Sequence, residues 1–239
     1  MTLPAHLLSL LCAALPMMSL TACLHDDPVA QASPIEWNQI DTPAGALNVA
    51  LVRPTNEGAI DHPVIVALPW GAGTGDLVEA FLQRYWLTEP ASRGYYVVSP
   101  EVLGSSLETT ADDVIPALFQ WMESELAIDA SQVALVGASN GGRGLFFAAT
   151  AQPDRFQALL AMPGQYRGDE RNLAVLAGKP VRMIVGEFDT SWVEATQLTA
   201  EALRSQGVDV EVDIAGTQGH VLNLVPSGLV GWIDEALGR

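Results

Sequence analysis

Residues 133–151 read VALVGASNGGRGLFFAATA. A continuous apolar run passes through Gly-x-Ser-x-Gly directly into a segment whose apolar residues recur at helical spacing. A chain can leave a buried strand and enter a helix within so few residues only through a very sharp turn. Side chains at Gly137 and Gly141 would collide there with neighbouring backbone, and Ser139 between them is held in a strained conformation at the carboxyl edge of the sheet. The five-residue pattern is weak by itself, because glycine makes up about 7% of ordinary sequences. Its strand-turn-helix setting makes it specific; the bland alternative is a tightly packed glycine turn with an idle serine.

The rest of the chain repeats the alternation. Strands are expected at Ala46–Arg53, alternating like an exposed early strand, and at Val64–Leu68, Tyr95–Ser99, Ala158–Met162, Val181–Val185 and Val208–Ile214. Helical spacing covers Asp76–Trp86, Val193–Ser205 and Leu222–Leu237. A further helix starts at Thr110, read as its cap, with Asp112 and Asp113 in the first turn where negative charge suits the macrodipole. Residues 163–179 leave room for a short excursion but not for a lid domain. The pattern is that of an α/β fold, a mostly parallel central sheet with helices on both faces, in one domain over residues 35–239.

Composition bounds the partners. The 239 residues carry a net charge of −17, from 28 acidic and 11 basic side chains. Such a chain lacks the clustered Lys and Arg that displace counterions from nucleic acid, and the positive charge that adheres to anionic headgroups. The two cysteines, Cys12 and Cys23, both fall in the N-terminal segment, so no disulfide framework is possible in the domain. Residues 7–20 form an apolar stretch too short to span a bilayer, ending in Leu20-Thr21-Ala22-Cys23. This resembles the lipobox of bacterial lipoprotein signal peptides. The resemblance implies a signal peptide over 1–22, lipidation of Cys23 and a polar tether over 23–34. It also implies an exported protein held at the cell envelope by its lipid alone.

A serine hydroxyl becomes a useful nucleophile only beside a base that an acid orients. The histidines are His6, His25, His62 and His220. The first two precede the domain and His62 falls in a turn before a strand. His220 follows the last strand, in the loop Gly216–His220. Asp189 follows the strand at Val181, in the order Ser, acid, His. Glu187 is its nearest competitor and Asp213 a distant one. A tetrahedral oxyanion needs two backbone donors. Asn140, after the serine, supplies one; the loop Pro69–Gly75 supplies the other, with Ala72 the first choice and Trp70 the second. Trp70 and Trp192 suit either an aromatic substrate platform or core packing. Arg143 reads as a structural ion-pair partner.

Together PWGAG, GASNGG followed by QPDRFQALLAMPG, GEFD and GTQGH resemble the α/β-hydrolase superfamily from residue 35 onward. The narrower resemblance is to small feruloyl esterases and polyhydroxybutyrate depolymerases. Trp70 stands where such proteins tend to carry histidine. The resemblance implies hydrolysis of carboxylic esters through an acyl-enzyme on Ser139, with Asp189 and His220 completing the triad and no metal or organic cofactor. A serine peptidase acting on short peptides and a non-catalytic binding protein on the same fold are the alternatives.

Overall fold

The computed structural model describes residues 33–56, 58 and 61–239. The leader expected over 1–22, Cys23, and the tether up to residue 32 lie outside these. Eight strands form one sheet in the order β1-β2-β4-β3-β5-β6-β7-β8. They are β1 (Ile35–Thr42), β2 (Gly45–Val52), β3 (His62–Leu68), β4 (Tyr96–Pro100), β5 (Ile128–Gly137), β6 (Ala158–Ala161), β7 (Val181–Gly186) and β8 (Val210–Ala215). From β4 to β8 every neighbour is parallel, while β1 and β2 add an antiparallel edge. Every residue of β3, β4 and β6 is buried, as strands covered on both faces must be.

Helices cover both faces. On one lie α3 (Ala111–Glu125), α4 (Asn140–Ala151) and α5 (Thr190–Ser205), whose Leu118, Phe119, Phe146 and Leu203 pack on Val66, Leu135 and Met183. On the other lie α1 (Gly75–Phe81), α2 (Thr88–Ser92) and α6 (Pro226–Leu237). Phe81, Trp86, Leu229 and Ile233 from this layer pack on Ile65, Ala134 and Val136. Between β6 and β7 the chain makes only a 3₁₀ segment, Glu170–Leu176, and no inserted domain among the described residues.

Four readings of the sequence change. The early strand is not exposed: Leu47 and 49–52 are buried, because β1 pairs along its outer side and β4 along its inner side. The segment 76–86 is a short α-helix that widens into a π-helical turn at Leu82–Trp86. Thr110 occupies the cap position of α3, but its hydroxyl makes no cap hydrogen bond and is buried without a partner. His62 is the buried first residue of β3, with Nδ1 2.8 Å from the Gly94 carbonyl.

Candidate active site

Ser139 follows β5 and precedes α4 at φ 56° and ψ −111°, a region that L-residues seldom occupy. Surrounding backbone holds it there. The Ala138 N–H donates to the Leu68 carbonyl (3.2 Å), and the Ser139 N–H donates to the Pro163 carbonyl (2.9 Å). A Cβ at Gly137 would lie 2.5 Å from the Gly141 carbonyl oxygen, and one at Gly141 2.1 Å from that of Leu68. The two glycines are therefore required by the close approach of α4 to β3 and β5.

Asp189 and His220 reach Ser139 from the ends of β7 and β8. His220 Nδ1 lies 2.5 Å from Asp189 Oδ2, and Nε2 lies 2.8 Å from Ser139 Oγ. An ionised carboxylate only accepts, so Nδ1 carries the proton and Nε2 faces the hydroxyl as an acceptor. Asp189 sits at the cap position of α5, yet its side chain caps nothing; it is only 13% exposed and turned to the imidazole. Glu187 serves the same loop differently, accepting from the Thr217 N–H at 2.8 Å. Asp213 is paired with Arg182 at 2.7 Å, away from the histidine. Of the three acidic candidates, geometry joins only Asp189 to His220.

Three further features hold the histidine loop, and the sequence hints at only the first of them. Gly186 ends β7 where a Cβ would meet the Gly219 carbonyl oxygen at 2.2 Å. The Phe188 N–H donates to the Gln218 carbonyl at 2.8 Å. Arg84 Nε and Nη2 (3.0 and 2.8 Å) and the Tyr85 hydroxyl (2.5 Å) all donate to the Leu222 carbonyl. Burial pushes the Tyr85 phenol above its ordinary pKa, against the opposing effect of Arg84, so it remains a donor. The π turn presents these two consecutive residues together, and such turns recur at functional sites. The glycine ending VRMIVG was the one visible hint; a π turn has no comparable sequence signature.

Ser139 and His220 open onto a cavity of about 190 Å³, lined mainly by Trp70, Gly71, Tyr85, Met162 and Leu222. Trp70 packs edge-on against Phe81 and Tyr85 and also walls this cavity. Ala72, the first choice as oxyanion donor, is exposed and outside it. The reason is the turn at Gly71 (φ 65°), whose carbonyl accepts from Asn140 Nδ2 at 2.8 Å, so that Trp70 and Gly71 face the serine instead. The Asn140 backbone N–H has no hydrogen-bond acceptor among the described residues, and neither do those of Trp70, Gly71 and Ala72; of these three, Trp70 and Gly71 line the cavity. Trp192 is not a core residue: its ring lies 5.3 Å from that of His220. Arg143 forms no ion pair among the described residues; its guanidinium lies over Trp192 at 4.7 Å. Four larger clefts, of about 260 to 530 Å³, touch none of the three residues Ser139, Asp189 and His220.

The model of the prolyl oligopeptidase family matches residues 79–170, less than half of the chain; the match contains Ser139 but stops before Asp189 and His220. No curated protein matches the chain in sequence. Solved structures do. A thermostable esterase superposes with a TM-score of 0.64 at 18% identity, over 84% of this chain and 62% of its own. Dipeptidyl peptidase 4 of Porphyromonas gingivalis gives 0.64 at 17%, over 86% of this chain and 35% of its own. A ferulic acid esterase gives 0.68 at 15%, over 86% and 98%. The chain thus spans about three-fifths of the first of these proteins and about a third of the second. Strand order, helix placement and these superpositions agree that the chain has the α/β-hydrolase fold.

Proposed function

We propose that the protein is a serine hydrolase that cleaves carboxylic esters through an acyl-enzyme. The observation that carries this reading is the continuous contact from Asp189 through His220 to Ser139, on a strained turn at the mouth of an apolar cavity. Ser139 Oγ attacks the ester carbonyl while its proton passes to His220 Nε2, and Asp189 stabilises the imidazolium. The developing oxyanion falls to the Asn140 N–H and the Trp70 N–H, which replaces Ala72 in that role. The carbon–oxygen bond to the alcohol then breaks, and the alcohol leaves with the proton from Nε2. Water, deprotonated by the same nitrogen, attacks the acyl-enzyme and releases the acid.

The test is hydrolysis of a p-nitrophenyl ester series from acetate to decanoate, beside Ser139→Ala and fluorophosphonate labelling. Turnover and labelling should both disappear in the variant, a loss of about 10⁴-fold or more. A folded wild-type protein that takes up no label would end this reading. A cavity of about 190 Å³ favours short acyl groups over long ones. The prolyl oligopeptidase match favours a second reading, peptidase action on short peptides. Amide turnover above ester turnover on matched substrates would select it.

We also read the chain as exported and lipid-anchored, on the strength of Leu20-Thr21-Ala22-Cys23. Radiolabelled palmitate should enter the wild type and not Cys23→Ser; equal labelling of both would exclude an anchor at that position.

A further inference from the structure

Most arginines of this acidic chain lie against carboxylates, as Arg53 does on Glu36 and Arg182 on Asp213. Arg143 differs. It stands one helical turn after Ser139, with its N–H donating to the Ser139 carbonyl at 3.0 Å. No carboxylate lies within 4 Å of its guanidinium among the described residues, and its Nε is buried without a partner. Trp192 supports it at 4.7 Å, and the same indole lies 5.3 Å from the ring of His220. The indole thus links a cation to the catalytic imidazole, and that cation lies outside the apolar cavity.

Arg167, whose Nε donates to Gln165 Oε1, opposes the charge on Arg143, and Glu108, whose Oε1 is also buried without a partner, favours it from beyond ion-pair distance. Burial first, and then Arg167, push the Arg143 guanidinium below its ordinary pKa. A guanidinium with no carboxylate against it and a buried donor left unsatisfied is unfavourable in the free protein. It becomes favourable once an anion joins it, and the planar Arg fork suits a carboxylate. We infer that Arg143 binds a carboxylate carried by the substrate, so that the preferred esters are anionic. This rests on the ester-hydrolase reading for the word ester, but not for the anion site itself.

Two matched pairs of rigid esters test it, one with the charge on the alcohol side and one on the acyl side. They are 4-acetoxybenzoate against 4-acetoxybenzamide, and phenyl 4-carboxybenzoate against phenyl 4-carbamoylbenzoate. In at least one pair the ratio of kcat/KM, anionic over neutral, should fall about tenfold or more in Arg143→Gln. The fall should be smaller in Arg143→Lys and Arg167→Gln. Glu108→Gln should raise the ratio, because it removes the carboxylate that competes for Arg143. If Glu108→Gln lowers the ratio as Arg143→Gln does, the two residues are a structural pair and the inference fails. Ratios that no Arg143 variant moves overturn it while leaving the hydrolase reading intact. Calorimetry of 4-acetoxybenzoate with Ser139→Ala separates the two in the other direction. Binding that Arg143→Gln abolishes, in a wild-type protein that turns over no ester, would keep the anion site and remove the hydrolase.

Discussion

Ser139 and His220 meet at one edge of one sheet, yet their loops are held in opposite ways. The serine turn is fixed by its own neighbours in sequence and by the backbone directly beneath it: Gly137 against Gly141, and Gly141 against Leu68. The histidine side chain is 40% exposed, and its loop is held from a distance. Its supports are Glu187, Phe188 and Gly186 from β7 and the turn after it, and Arg84 and Tyr85 from the π turn some 140 residues earlier. A nucleophile that must be strained needs a rigid, local device. A base must meet its partner across a gap between two strand ends, so its loop depends on tertiary contacts.

The contrast can be broken from either side. Gly141→Ala should have the largest effect, because no side-chain motion relieves a Cβ 2.1 Å from a backbone oxygen. We expect a stability loss of about 3 kcal/mol and a Tm drop of about 6–12 °C, together with loss of turnover. A variant with an unchanged melting curve would mean that the turn is not the rigid member of the pair.

Gly186→Ala should come next and separate fold from function. The Gly219 carbonyl, on an exposed loop, can retreat by about an ångström, and misplacement on that scale costs about 100-fold in rate. The melting temperature should stay within about 4 °C of wild type, a loss of about 1 kcal/mol. If stability falls as far as in Gly141→Ala, the histidine loop is part of the core and the contrast disappears.

The smallest effect belongs to Arg84→Met, which removes two donors from the Leu222 carbonyl and leaves the Tyr85 hydroxyl in place. We expect kcat to fall about threefold to tenfold. A larger loss than that of Gly186→Ala would show that the guanidinium, rather than backbone fit, sets the position of His220.

The same contrast explains what could be read in advance. The residues of the serine turn, the order of Ser139, Asp189 and His220, and the parallel strands of the sheet interior all leave local marks: glycines, apolar runs and the ends of those runs. β1 leaves almost none, since Asn38, Gln39 and Asp41 dilute its alternation at the sheet edge. Thr110 has the right chemistry for a cap, but its backbone lies at φ −122° and ψ 1°, and its hydroxyl is buried without a partner. Arg143 was expected to find a carboxylate in so acidic a chain, yet it found the face of an indole.

Local sequence dictates the layer architecture and which side chains stand at the carboxyl edge, because those follow from burial patterns and from turns that tolerate only glycine. Long-range packing sets Asp189 rather than Glu187 against His220, brings Trp70 and Gly71 rather than Ala72 to the cavity wall, and anchors the His220 loop through Arg84 and Tyr85. Each of those choices depends on how two segments far apart in the chain approach one another, and packing sets that distance with a precision that local propensity does not carry.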